Sequence, residues 1–70
     1  MIKLTTREEQ VLYCLADGMT MKEIAIELDL SLSTVVHYSK SLYSELGAKN
    51  AANAVAIAYH EKILIPKEKK

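Results

Sequence analysis

The chain has 70 residues, with nine basic and nine acidic side chains that cancel to a formal net charge of zero. That length allows one small domain, and a single cysteine excludes both an intramolecular disulfide and a cysteine-built zinc site. Half of the residues are apolar, yet there is no Trp or Phe, one Pro and only two Gly, which argues against disorder and against a loop-rich or all-β fold.

In chain order, Thr5-Thr6-Arg7-Glu8 is a capping box, a hydroxyl followed three residues later by a carboxylate. It predicts a first helix over about 6–17, with Val11, Leu12, Leu15 and Ala16 on its inner face and Cys14 packing as a small apolar residue. Gly18 is placed to stop it in a left-handed conformation. Thr20-Met21-Lys22-Glu23 is a second capping box and predicts a short helix over 21–28, with Ile24, Ala25 and Leu28 turned inward. Asp29-Leu30-Ser31 breaks the pattern: Leu30 is an apolar plug and Ser31 can cap the next helix. The third helix spans 32–46, with a Val35, Leu42 and Leu46 stripe and Gly47 at its end. The β-branched pair Val35-Val36 is mildly unfavourable there, but the long capped window outweighs it. Asn50 caps a fourth helix over about 51–61. Ala51, Ala54, Val55 and Ala58 form one face of that helix, and Ala52, Ala56, Tyr59 and Ile63 form a second apolar face suited to a partner.

Residues 62–66 read as a short extended tail that completes a domain over 1–66, followed by a disordered lysine-rich tail over 67–70. The tail carries three Lys and one Glu, or +2, so residues 1–66 carry 6 basic against 8 acidic residues, or −2. The architecture is therefore all-α with four helices, and any nucleic-acid surface must be a local patch.

Constellations for catalysis are missing. His37 and His60 lie on different helices with no nucleophile signature nearby, the ligands for a metal are too few, and no glycine-rich phosphate loop or cofactor motif is present. No apolar run reaches the ~18 residues of a membrane span or resembles a signal peptide, so a reduced, cytoplasmic location is expected. Helices two and three, joined by a three-residue break, instead form a helix-turn-helix. In that motif the first helix meets the phosphate backbone and the second enters the major groove. Thr20 and Lys22 suit the first task. On the third helix the outward set is Ser33, Val36, His37, Lys40, Ser41 and Ser44. There Lys40 can donate to guanine or phosphate, His37 to a base edge, and Val36 can meet a thymine methyl. Glu45, one turn on, works against this.

Leu4-Thr5-Thr6-Arg7-Glu8, Val11-Leu12, Lys22-Glu23-Ile24-Ala25, Thr34-Val35 and Leu46-Gly47 together resemble the LuxR/GerE-type helix-turn-helix domain over about residues 4–65. The resemblance implies a bacterial or phage transcription regulator with the third helix as recognition helix and the fourth as the usual dimer contact. It implies backbone contacts at Thr20 and Lys22, a phosphate-proximal Thr34 and a base-contacting Lys40. Such domains usually end larger regulators, although free-standing copies of this length occur in the family. Three residues depart from the pattern: Val36 and Glu45 stand where Lys is common, and Tyr38 where His is typical. Losing two cations and gaining an anion implies either altered specificity or weakened binding. The expectation is a homodimeric regulator of double-stranded DNA. The alternative is an interaction module, suggested also by the off-face Ile26, that modulates another transcription regulator.

Overall fold

Four short polar side chains start the four helices of the computed structural model, which describes residues 2–65. The helices are α1 (Thr6–Ala16), α2 (Met21–Leu28), α3 (Leu32–Leu46) and α4 (Ala51–His60). Thr5 Oγ1 accepts the Glu8 amide at 3.2 Å while Glu8 Oε1 accepts the Thr5 amide at 2.9 Å, closing the box in both directions. Thr20 and Glu23 repeat this at 3.2 and 2.8 Å. Ser31 Oγ accepts from the Thr34 amide and Asn50 Oδ1 from the Asn53 amide. Each cap satisfies an amide that a helix start leaves unpaired, an effect of about 1 kcal/mol.

The helices also end alike. Gly18, Asp29, Gly47 and Lys62 have φ of 85°, 58°, 71° and 63°, all left-handed. The next residue in each case donates its amide to a carbonyl five positions back: Met19 to Cys14, Leu30 to Ala25, Ala48 to Tyr43 and Ile63 to Ala58. Met19, Leu30, Ala48 and Ile63 all pack against the core, so every helix closes with the same hydrogen bond and an apolar plug.

Between these ends the apolar stripes meet. Val11, Leu12, Ile24, Val35, Leu42, Ala54 and Ala58 are fully enclosed, and α3, which like α1 packs against all three other helices, is the most extensively packed element. The buried alanines of α4 let its backbone lie close to that element. Ser39, also buried, donates its hydroxyl to the Val36 carbonyl at 2.7 Å and so leaves no polar atom unpaired. Cys14 is buried as expected. Its burial first, then the charges of Glu27 and Asp17, push the thiol pKa up.

Two expectations need correcting. Residues beyond α4 are not an extended tail: left-handed Lys62 turns the chain back, and Leu64 is 2% exposed in the core. For the same reason Ile63 does not continue an outer face of α4. That helix stops at His60, and Ile63 packs inward as a plug. Pro66 and the lysines of 67–70 lie outside the described residues. No helix among the described residues is long and apolar enough to cross a membrane.

Candidate nucleic-acid interface

The turn Asp29-Leu30-Ser31 joins α2 to α3, and the two helices pack against each other. Thr20 is exposed at the start of α2. Its oxygen is engaged by the Glu23 amide. Lys22 is exposed in the first turn of the same helix. At the start of α3 three hydroxyls cluster. Ser31 Oγ donates to Thr34 Oγ1 at 2.7 Å and lies 3.3 Å from Ser33 Oγ. A helix start of this kind offers hydroxyls and amides together, at the positive end of the helix dipole, which suits an anionic oxygen.

Along α3 the spacing of 33, 37, 40 and 44 follows one face of a 3.6-residue helix, and Ser33, His37, Lys40 and Ser44 are all exposed on it. Small serines at either end leave room for close approach. His37 and Lys40 at the centre supply the donors. The Tyr38 ring meets the His37 imidazole edge-on, centroids 5.9 Å apart, which limits where the imidazole can swing. Val36 is half-buried on the flank of the stripe.

Two residues sit differently from the sequence expectation. Ser41, placed in the outward set by spacing, turns toward α1 and donates its hydroxyl to Glu8 Oε2 at 2.6 Å. Tyr38 is half-buried against the core, so its departure from the family pattern falls largely off the outward face. Glu45 remains exposed. Sequence reasoning misses the partnership of Glu8 with Ser41. Glu8 already has a role in a cap, and 33 residues separate it from Ser41.

Burial alone would push the Glu8 carboxyl up. The Ser41 hydroxyl and the Thr5 backbone and side chain outweigh that and hold it below the usual glutamate value. It is therefore ionised at neutral pH.

Ala52, Ala56 and Tyr59 are exposed along α4. Beyond them Tyr59 lines a shallow cleft with Tyr13, Ala16 and Ile65, and Tyr13 and Ile65 are themselves exposed apolar residues.

α2 and α3 form a helix-turn-helix with hydroxyls, a cation and an imidazole exposed on its second helix, and its relatives show the class to be that of DNA-binding transcription-regulator domains. The family model for bacterial regulatory proteins of the luxR family matches residues 3–58, and the chain belongs to that family. The probable transcriptional regulatory protein SgaR of Hyphomicrobium methylovorum is 44% identical over 54 residues, which are 77% of this chain and 26% of SgaR. Among solved structures, the VqmA dimer of Vibrio cholerae in the absence of target DNA superposes with a TM-score of 0.83 at 33% identity, covering 87% of this chain and 28% of VqmA. VqmA of the same organism in complex with ligand and DNA gives 0.84 at 33% identity, over 96% of this chain and 30% of VqmA. The chain thus spans between a quarter and a third of the length of these relatives.

Proposed function

We propose that the chain reads double-stranded DNA for a transcription regulator, with α3 in the major groove and the start of α2 on the adjoining phosphates. The observation that carries this is the exposed Ser33, His37, Lys40 and Ser44 stripe on the second helix of a helix-turn-helix whose first helix exposes Thr20 and Lys22 in its opening turn. Two copies joined through Ala52, Ala56 and Tyr59 of α4 would present two such helices to half-sites about one helical turn apart. VqmA, a relative by structure, is a dimer, which supports pairing of copies in general, while the α4 contact rests on the exposed Ala52, Ala56 and Tyr59. A cytoplasmic location goes with this role.

Fluorescence anisotropy on 30-base-pair duplexes, from low to physiological salt, tests the reading. Lys40→Ala is expected to weaken binding by about 1–3 kcal/mol if it reads a base, while Lys62→Ala, in the turn after α4, leaves it nearly unchanged. Equal effects would place the interface elsewhere. Val36→Lys is expected to tighten binding and to steepen the log–log salt dependence by about 0.9 for one added phosphate contact. Sedimentation equilibrium at tens of micromolar tests the dimer, and monomer alone would count against α4 as its contact.

A second reading is favoured by Ile26, which is 82% exposed on α2 and lines a cleft with Glu23 and Glu27. An apolar side chain in an acidic setting suits a protein partner better than a phosphate backbone. Absence of duplex binding at low salt, together with capture of a transcription regulator that Ile26→Lys abolishes, would favour the interaction module.

A further inference from the structure

The two capping boxes are built from the same residue types and do different things. Glu23 at the start of α2 is exposed and serves its own helix. Glu8 at the start of α1 is 5% exposed and divides its two oxygens between two elements. Its Oε1 takes the Thr5 amide at 2.9 Å and its Oε2 the Ser41 hydroxyl at 2.6 Å. Capping requires only the first of these, and burying a carboxylate is unfavourable unless it is fully hydrogen-bonded. The second bond and the burial are thus additional to the cap. They fasten the first turn of α1 to the third turn of α3.

Ser41 directly follows Lys40 and lies one turn after His37, so it sits on the stretch of α3 that carries both donors of the outward stripe. The aliphatic contacts of Val35, Leu42 and Leu46 hold α3 against the core but are non-directional. A charge-assisted bond between one hydroxyl and one carboxylate oxygen is short and directional, and it fixes what those contacts leave soft. We infer that Glu8 is a positioning residue for DNA reading: through Ser41 it sets the rotation and height of α3, and so the direction in which His37 and Lys40 point. This rests on the placement of α3 in the groove proposed above. It assigns Ser41 to alignment of the helix and not to contact with DNA.

The test uses the 70-residue chain and a fluorescein-labelled 30-base-pair mixed-sequence duplex, read by anisotropy across a salt series. All readings are taken at a temperature where circular dichroism finds every variant folded. Ser41→Ala is expected to weaken binding about three- to tenfold and to flatten the salt dependence, whereas Ser41→Thr, which keeps the hydroxyl, retains both. Glu8→Ala should match Ser41→Ala, and the double variant should bind no more weakly than Glu8→Ala alone, because both substitutions cut one link. Thr5→Ala, which removes a cap oxygen and spares the link, should lower the melting temperature without changing affinity. A merely structural Glu8 would leave the affinity and salt slope of the folded Ser41→Ala variant at wild-type values, and that result overturns the inference. Equal, additive losses from Ser41→Ala with and without Glu8 would also overturn it, since Ser41 would then touch DNA directly. If Glu8→Ala does not fold, the contrast between Ser41→Ala and Ser41→Thr decides. Lys40→Ala separates positioning from groove placement. Weakening by Lys40→Ala with none from Ser41→Ala rejects positioning alone, and weakening by neither rejects the groove placement itself.

Discussion

Helices α1 and α3 end on glycine, whereas α2 and α4 end on Asp29 and Lys62, yet all four close by the same geometry. A left-handed residue with a Cβ costs about 1–2 kcal/mol more than glycine, so at α2 and α4 something else must favour the turn. The next residue supplies it. Leu30 and Ile63 seat against the core just as Met19 and Ala48 do, and after Ile63 the chain delivers Leu64 into the centre. The closing turn is thus selected by the plug and the amide bond behind it. The residue in the left-handed position only adjusts the cost.

If that is right, the α4 ending belongs to the fold as fully as the glycine-ended ones. Leu64→Ala should then cost about 2–5 kcal/mol, enough to unfold much of so small a domain near 37 °C. Thermal melting checks this, and a loss below about 1 kcal/mol would make residues 61–65 an appendage. A smaller effect is expected at Gly47. A Cβ there meets nothing within 4 Å, so Gly47→Ala should cost only the left-handed strain, about 1 kcal/mol, or roughly 4–8 °C in a domain of this size. The reverse change, Lys62→Gly, relieves that strain but frees the unfolded chain, so a gain under about 1 kcal/mol is expected. A loss at Lys62→Gly would mean that its side chain, not its backbone, matters.

The smallest effect concerns the capping box of α1. The folded state holds the Glu8 carboxyl below its ordinary value, with burial opposing and the bonds from Ser41 and Thr5 prevailing. The folded state therefore binds fewer protons at Glu8 than the unfolded chain. The contribution of Glu8 to stability is fully present above the ordinary glutamate pKa of about 4.3 and is lost as pH falls through the lowered folded value. Melting curves from pH 7 to pH 3 should accordingly fall more steeply for the wild type than for Glu8→Gln. Parallel curves would show that the Ser41 bond does not favour the charged form.

Much of this is legible in the sequence because it is local. Thr5 with Glu8, Thr20 with Glu23, Ser31 and Asn50 announce helix starts within four residues, and the glycines announce two of the four stops. The inward stripes of α1 to α3 emerge from a 3.6-residue period. The illegible part depends on the tertiary fold. Asp29 reads as a poor helix residue but not as a left-handed cap. Lys62 gives no sign of turning the chain, so the sequence pattern leaves Ile63 and Leu64 outside the core that they enter. Of the candidate interface, the exposed positions of Ser33, His37 and Lys40 agree with helical spacing. Ser41 does not, because a partner 33 residues away decides which way its hydroxyl turns, and periodicity carries no information about that partner.

Cys14 has a consequence of another kind. Its thiol is 8% exposed on the inner side of α1 and held protonated by burial and by neighbouring acidic charge. Only the thiolate is reactive, so burial and the raised pKa slow alkylation of the folded chain, and opening of the fold speeds it. The rate at which the chain is labelled, divided by that of the unfolded chain, sets an upper bound on the population of the open state. The protein carries its own gauge of how often α1 leaves the bundle, and it can be read in the presence and absence of DNA without adding a probe.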